Sequence, residues 1–419
     1  MALSTLRHWL RRSSSPIRKP GRFQRRPQFD SLETRYAPAT ITVGPNDSVQ
    51  AAITAASSGD TIRVLGVHKE QIVINDIGHE RDDLKIVAGN PHAAIVAPDD
   101  IAAPGSLIQI SGSQNVTIRG LTIKGPAETT TPDLYGILVN GGGSANIVGN
   151  RISNITDDPL SGVQRGIAIY IGGDGGGSAT IDGNLITRYQ KAGIVVSGAD
   201  STATIDDNVV YGQGPTTVIA QNGVQISDGA TAKITDNVIA GNTFTPNTFA
   251  ASGILLDASG KVTIEDNVVS RNSIGIFVSA ADEGLVIKEN VVARNTLLGI
   301  YLDSTSGAKL LGNIVSFNGS SDPASVGGIA LGNSTNNRIE GNISFHNTGY
   351  GLALDSNSTG NTITRNRLFR NSVFDAADGT TGSGTQGTAN TWTKNFGVTS
   401  DPLDLVSKRK FFVRFHCSR

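Results

Sequence analysis

Four acidic side chains stand immediately before four regularly recurring asparagines: Asp207, Asp236, Asp266 and Glu289 precede Asn208, Asn237, Asn267 and Asn290. If these positions stack, carboxylates about 5 Å apart repel one another, and either water or a hard cation such as calcium relieves them. Arg271 and Arg294 each lie five residues beyond one of these acids and are candidate salt-bridge partners for the row. A second candidate is aromatic. Phe277 and Tyr301 fall at matching places of neighbouring repeats, in an outward-facing series that reads Leu138, Ala168, Val195, Gln225, Leu255, Phe277, Tyr301, Ala330 and Ala353. On an open sheet the two rings form a platform on which sugar rings stack; under a covering loop they are ordinary packing.

Other chemistry is missing. His8, His68, His79, His92, His346 and His416 show no zinc or metalloprotease spacing. Cys417 is the only cysteine, which excludes an intrachain disulfide and leaves no visible thiol–histidine pair. Gly382-x-Gly384-x-x-Gly387 matches a dinucleotide pattern but opens no helix, in a chain with 50 glycines. The catalytic assignment stays unknown.

The elements that position these residues declare themselves by repetition. Ile-x-x-Asn-x-apolar recurs with its asparagine at 150, 184, 208, 237, 267, 290, 313, 342 and 366. Between successive copies falls Gly-apolar-x-apolar, starting at Gly136, Gly166, Gly193, Gly223, Gly253, Gly275, Gly299, Gly328 and Gly351. A further asparagine sits five residues after the first at 242, 272, 295, 318, 347 and 371. Each short stretch alternates as a strand with one apolar face, and a unit this short buries that face only by stacking on its neighbours. Asparagines at equivalent corners are expected to bond in ladders, and the recurring glycine to turn the chain at φ > 0 before each strand.

Charge is segregated. Of 35 Lys and Arg and 36 Asp and Glu, the two ends (residues 1–35 and 408–419) hold fourteen cations and two acids, leaving 21 cations against 34 acids in the body. Such a body disfavours nucleic acid. No apolar run is long enough for a membrane span. The organisation expected is a basic leader or arm over 1–39, a stacked-strand domain over 40–400 and a basic tail over 401–419. Within the domain, a helical cap near Ser48–Ala56 and first rungs fill 40–110, repeats fill 111–375 and a closing segment fills 376–400. A monomer is expected.

These repeats resemble the right-handed parallel β-helix repeats of the pectate-lyase-like superfamily, especially NosD-type and carbohydrate-binding helices. Ser48-Val49-Gln50-Ala51-Ala52-Ile53, Gly59-Asp60-Thr61-Ile62 and Glu70-x-Ile72 are similar to that family's opening segment, with Gly66-Val67-His68 in place of Gly-x-Tyr. The resemblance implies an all-β, right-handed parallel β-helix with a short N-terminal capping helix. It also implies an extracytoplasmic protein that binds, and in some members cleaves or modifies, a polysaccharide or cell-surface glycan; the alternative is a structural or adhesin-like surface protein. Family lyases hold calcium on acidic clusters, which points to Asp207, Asp236, Asp266 and Glu289, and use an arginine as base or charge neutraliser, a role open to Arg271 and Arg294. NosD-type relatives suggest copper, for which only dispersed histidines are present. The Gly-His-Gly and Arg-Ile-Lys of polygalacturonases are absent, the latter replaced by Arg338-Ile339-Glu340, so Asp157-Asp158 and Asp206-Asp207 lack their companions. The Asp-Pro-His-Glu of mannuronan epimerases is absent too. Phe29-x-x-Leu32-Glu33-x-Arg35 before Ala37-Pro38-Ala39 resembles a leader of certain bacterial secreted and surface proteins, in keeping with export.

Overall fold

The computed structural model describes residues 37–75, 80–126, 131–246, 251–320 and 326–408. Its contacts divide the chain into Met1–Ala37 and Pro38–Arg419. Residues 1–36 of the expected leader, with His8, and His79, His416, Cys417 and the tail beyond 408 lie outside the described residues.

The second unit is a right-handed coil of three parallel sheets. In chain order within one rung, the strands Val262–Glu265, Val268–Ser270 and Ile274–Ser279 belong to a first sheet of 14 strands, a second of 12 and a third of 13. Every strand pairs in parallel with its equivalent one rung away, so like positions form columns. Inward columns such as Ile205, Ile234, Ile264 and Ile287 are wholly buried. Alternation demands this: a one-residue slip would turn each isoleucine outward.

Corners decide which residues flank the strands. The residue before each ladder asparagine has left-handed backbone: φ is 51° at Asp207, 56° at Asp236, 57° at Asp266 and 59° at Glu289. The corner after the second sheet repeats the device at Arg271, Arg294 and Phe317, with φ of 56–57°. The asparagine then satisfies what the turn exposes. Asn267 Nδ2 donates to the carbonyls of Ile234 (2.9 Å) and Glu265 (2.8 Å) and to Asn290 Oδ1 (3.0 Å), while its own Oδ1 accepts from Asn237. The ladder runs from Asn150 through Asn366 to Asn395, one rung beyond the repeats recognised in the sequence.

The recurring glycine has a different purpose from the one expected. At Gly275 φ is not positive; instead a Cβ there would lie 2.5 Å from the Gly299 carbonyl oxygen and 2.8 Å from Asn295 Nδ2, and would press on Val292. The glycine makes room for the second asparagine ladder, and the turning is done at the corners. Gly166 is a false member of the series: Ala168 occupies the glycine place, so the outward residue of that rung is Tyr170, which pairs with Leu138 and Val195.

Both ends are closed. The helix Val49–Ala55 buries Val49, Ala52 and Ile53; Ser48 caps it, and the Glu70 carboxylate accepts from Val49 N at 2.7 Å and Gln50 N at 3.1 Å. At the far end Trp392 donates to Asp378 at 2.7 Å, and Leu405 and Val406 are buried. Packing therefore continues to Ser407, past the expected boundary at 400. No described helix is long and apolar enough to cross a membrane.

Candidate functional site

On the outward face of the third sheet, Phe277 and Tyr301 sit on paired strands, half-buried, with ring centroids 5.3 Å apart and planes within 9°. Stacked along the column, each ring covers one face of the other. The next rungs present only Ala330, Ala353 and Ala377 in the same column, so the stack ends in a hollow of about 570 Å³ that also draws in Leu298, Tyr350, Asp355 and Asp401. Gly332 leaves room here: a Cβ would stand 2.7 Å from the Tyr301 hydroxyl, which would have to shift. Burial, reinforced by Asp303 and Asp355, pushes that hydroxyl's pKa above 10.0, so it remains a hydrogen-bond donor at neutral pH. Asp355 is held in place by Ser358 Oγ at 2.7 Å and Asn333 N at 3.1 Å. Both rings are half-buried, and the hollow lies beside Tyr301.

A second aromatic pair, Tyr135 and Tyr170, stacks at 4.9 Å farther up the third sheet. The misplaced glycine at 166 hid Tyr170 from the sequence; matching it by the strand's Ile-x-Ile alternation would have found it.

The four corner residues do occupy the same place on successive rungs, since each corner amide bonds a carbonyl of the next rung. Yet the ligand-bearing atoms that come together, within 4.8 Å of one another, belong to Glu265, Asp266 and Glu289; Asp207 and Asp236 stay apart from this group and Glu265 was not foreseen. Lys288 forms an ion pair with Glu265, and that hydrogen bond raises the lysine's pKa. Arg271 and Arg294 lie on the opposite edge of the second sheet and pair with none of these acids.

A third region is polar. A groove of about 1020 Å³ along the second sheet is lined by Lys124, Arg151, Arg188 and Tyr211, with the 154–160 segment as its wall. Asp157 pins that wall. Burial pushes its carboxyl up, but hydrogen bonds from Ser161, Gln190 (3.0 Å) and Arg165 (2.8 Å) together hold its pKa below 3.8.

Comparisons with known proteins agree with this architecture. Family models described as "Periplasmic copper-binding protein (NosD)" and "Right handed beta helix region" match residues 213–399 and 86–282. No curated protein matches the chain. Among solved structures, the periplasmic alginate epimerase AlgG is similar at 14% identity and a TM-score of 0.52, covering 87% of this chain and 85% of its own. The Dettilon tailspike protein is similar at 18% identity and 0.54, covering 78% and 67%. The A-module of the Azotobacter vinelandii mannuronan C-5 epimerase AlgE4 is similar at 15% identity and 0.51, covering 84% and 94%. At these identities the likeness is one of fold.

Among the described residues no histidines gather as copper donors. His68 is buried with both ring nitrogens 3.1 Å from backbone carbonyls of Asp47 and Leu65, filling the place of the expected tyrosine. His346 is stacked on Phe317. The group of three potential ligands among the described residues is all oxygen, a set for hard cations.

Proposed function

From a chain that is a right-handed parallel β-helix repeat protein, we propose an extracytoplasmic protein that binds a polysaccharide along the outward face of its third sheet. One observation carries the reading: the Phe277–Tyr301 stack stops at a hollow floored by alanines, leaving the far face of Tyr301 free. A sugar ring is the natural next layer. Its apolar face lies on the tyrosine, and its hydroxyls meet the Tyr301 hydroxyl and the carboxylates of Asp303, Asp355 and Asp401. The two-ring platform expected from sequence thus becomes a single free ring backed by a second.

Two similarities support the reading. AlgG and the AlgE4 module are epimerases of polysaccharides, and the matching family description and AlgG are both periplasmic. A binding role, with or without chemistry, is what the hollow's side chains support.

The test is affinity electrophoresis against a polysaccharide panel. Tyr301→Ala should weaken the bound glycan about tenfold, the effect of one lost stacking contact, and Phe277→Ala by about threefold or less. Undiminished binding by Tyr301→Ala would sink this reading and favour the structural, adhesin-like role.

A further inference from the structure

The second sheet carries an apolar ribbon on its outside. Val209, Val238, Val268, Val291 and Ile314 occupy one outward column on five successive rungs, each between 36% and 43% exposed. Half-buried Leu185 and Ile343 continue the column at either end. The neighbouring outward column is small on four of these rungs (Ala240, Ser270, Ala293, Ser316), so the surface is flat there, with Tyr211 standing on the Val209 rung and Phe345 on the Ile343 rung. One edge of the ribbon is the corner with Asp266 and Glu289. The other edge, on the same two rungs, holds Arg271 and Arg294.

We propose that this ribbon is the interface of a symmetric dimer, two copies packed face to face with their columns parallel. The charges select this arrangement. If the second copy is generated by a two-fold axis parallel to the column, the acidic edge of one copy meets the basic edge of the other and equal rungs stay level. Asp266 then faces Arg271 of the other copy, Glu289 faces its Arg294, and the two-fold repeats both pairs. An axis across the column instead sets acid against acid and base against base. The crowded carboxylates of Glu265, Asp266 and Glu289 have one cation of their own, Lys288, and the other copy's arginines complete the compensation.

Size and shape agree. Seven rungs at about 4.8 Å and a width of about 16 Å give roughly 540 Å² per copy, which doubled clears the roughly 1,000 Å² that specific interfaces need. Flat sheets with small and β-branched residues pack well face to face at about 10 Å, whereas a three-fold ring of such ribbons would leave a void that valines cannot fill. The proposal stands apart from the glycan reading, which uses the third sheet.

Sedimentation velocity of the full chain over micromolar concentrations tests it. The wild-type chain should sediment as a dimer, and Val268→Arg/Val291→Arg as a monomer with unchanged far-ultraviolet circular dichroism. Arg271→Glu/Arg294→Glu should weaken the dimer at least about tenfold, as loss of interfacial ion pairs does. Adding Asp266→Arg/Glu289→Arg to that variant should restore it. Both exchanges suit the backbone, since Arg365 and Glu289 already adopt such corners at φ 56° and 59°. A wild-type monomer at every concentration, a trimer, a dimer indifferent to the valine substitutions, or failure of the charge exchange to rescue would each overturn the proposal.

Discussion

Glycine does two unrelated jobs in this chain, and the difference is measurable one residue at a time. Gly275 is in ordinary backbone but has no room: its Cβ would collide with the Gly299 carbonyl and displace Asn295. Gly183 has open space around it but φ of 62°. Gly275→Ala should therefore cost about 2–3 kcal/mol through overpacking. Gly183→Ala should cost only about 1 kcal/mol, the left-handed penalty, and Gly183→Asn less. Urea titration of the three variants separates the two causes. The same distinction recasts the corner acids. Asp207, Asp236, Asp266 and Glu289 share their corner with Gly149, Gly183, Gly312, Gly341 and Arg365 on other rungs. What unites these positions is a backbone angle, and the carboxylates gather only where Glu265 joins them.

At the scale of elements, the asparagine ladders are polarised, each side-chain amide donating to the asparagine of the next rung; the longest ends on Asn395, and the other two end on a carboxylate. The second ends at Asp375, which accepts from Asn371 Nδ2 at 3.0 Å; a third, Asn337–Asn361–Asn390, ends at Asp378 at 3.0 Å. Aspartate suits the terminus because it accepts and has nothing left to donate. The 154–166 connection is held by different means, through Asp157. Its pKa is lower in the folded state than the ordinary 3.8, so its contribution is fully present above that value and lost as pH falls through the folded value. Hydrogen exchange should show this connection docked at pH 5–7 and opening below about pH 3.8 before the rungs do. Asp157→Asn should lack that acid step. An opening that follows the same pH course in both proteins would remove Asp157 as the pin.

For the whole unit, stability is close to a sum over rungs and their contacts, because each rung touches only its neighbours. Asn290 lies near the middle of the longest ladder. Asn290→Leu would strand the Asn267 backbone N–H and take a donor from the carbonyls of Ile264 and Lys288, at a cost of about 3 kcal/mol or more. Because the fault uncouples the halves of a one-dimensional stack, thermal unfolding should become broader or two-stepped. A single sharp transition at lower temperature would mean the halves remain coupled through the isoleucine columns. The dimer belongs to this scale too: its ribbon exists only because one outward column is apolar on seven rungs in a row.

Periodicity was enough to read the stacked coil, the asparagine ladders and the pairing of Phe277 with Tyr301, because each depends on residues at a fixed offset, while the capping helix at Val49–Ala55 was implied by the resemblance of the opening segment. Steric and rotational facts were not legible there. Whether a glycine serves φ or space depends on atoms a rung away. That Ala168 replaces Gly166 depends on register. The third ladder holds only Asn337, Asn361 and Asn390, with Ala308 in the place before them, and so lacked a long signature. The hollow beyond Tyr301, which reaches Asp401, and the company of Glu265 with Glu289 arise from residues 24 to 100 positions apart. Local pattern determines which face of a strand is buried; only the stacking of rungs decides which outward side chains become neighbours, because that neighbourhood is set by the sheet's hydrogen bonds.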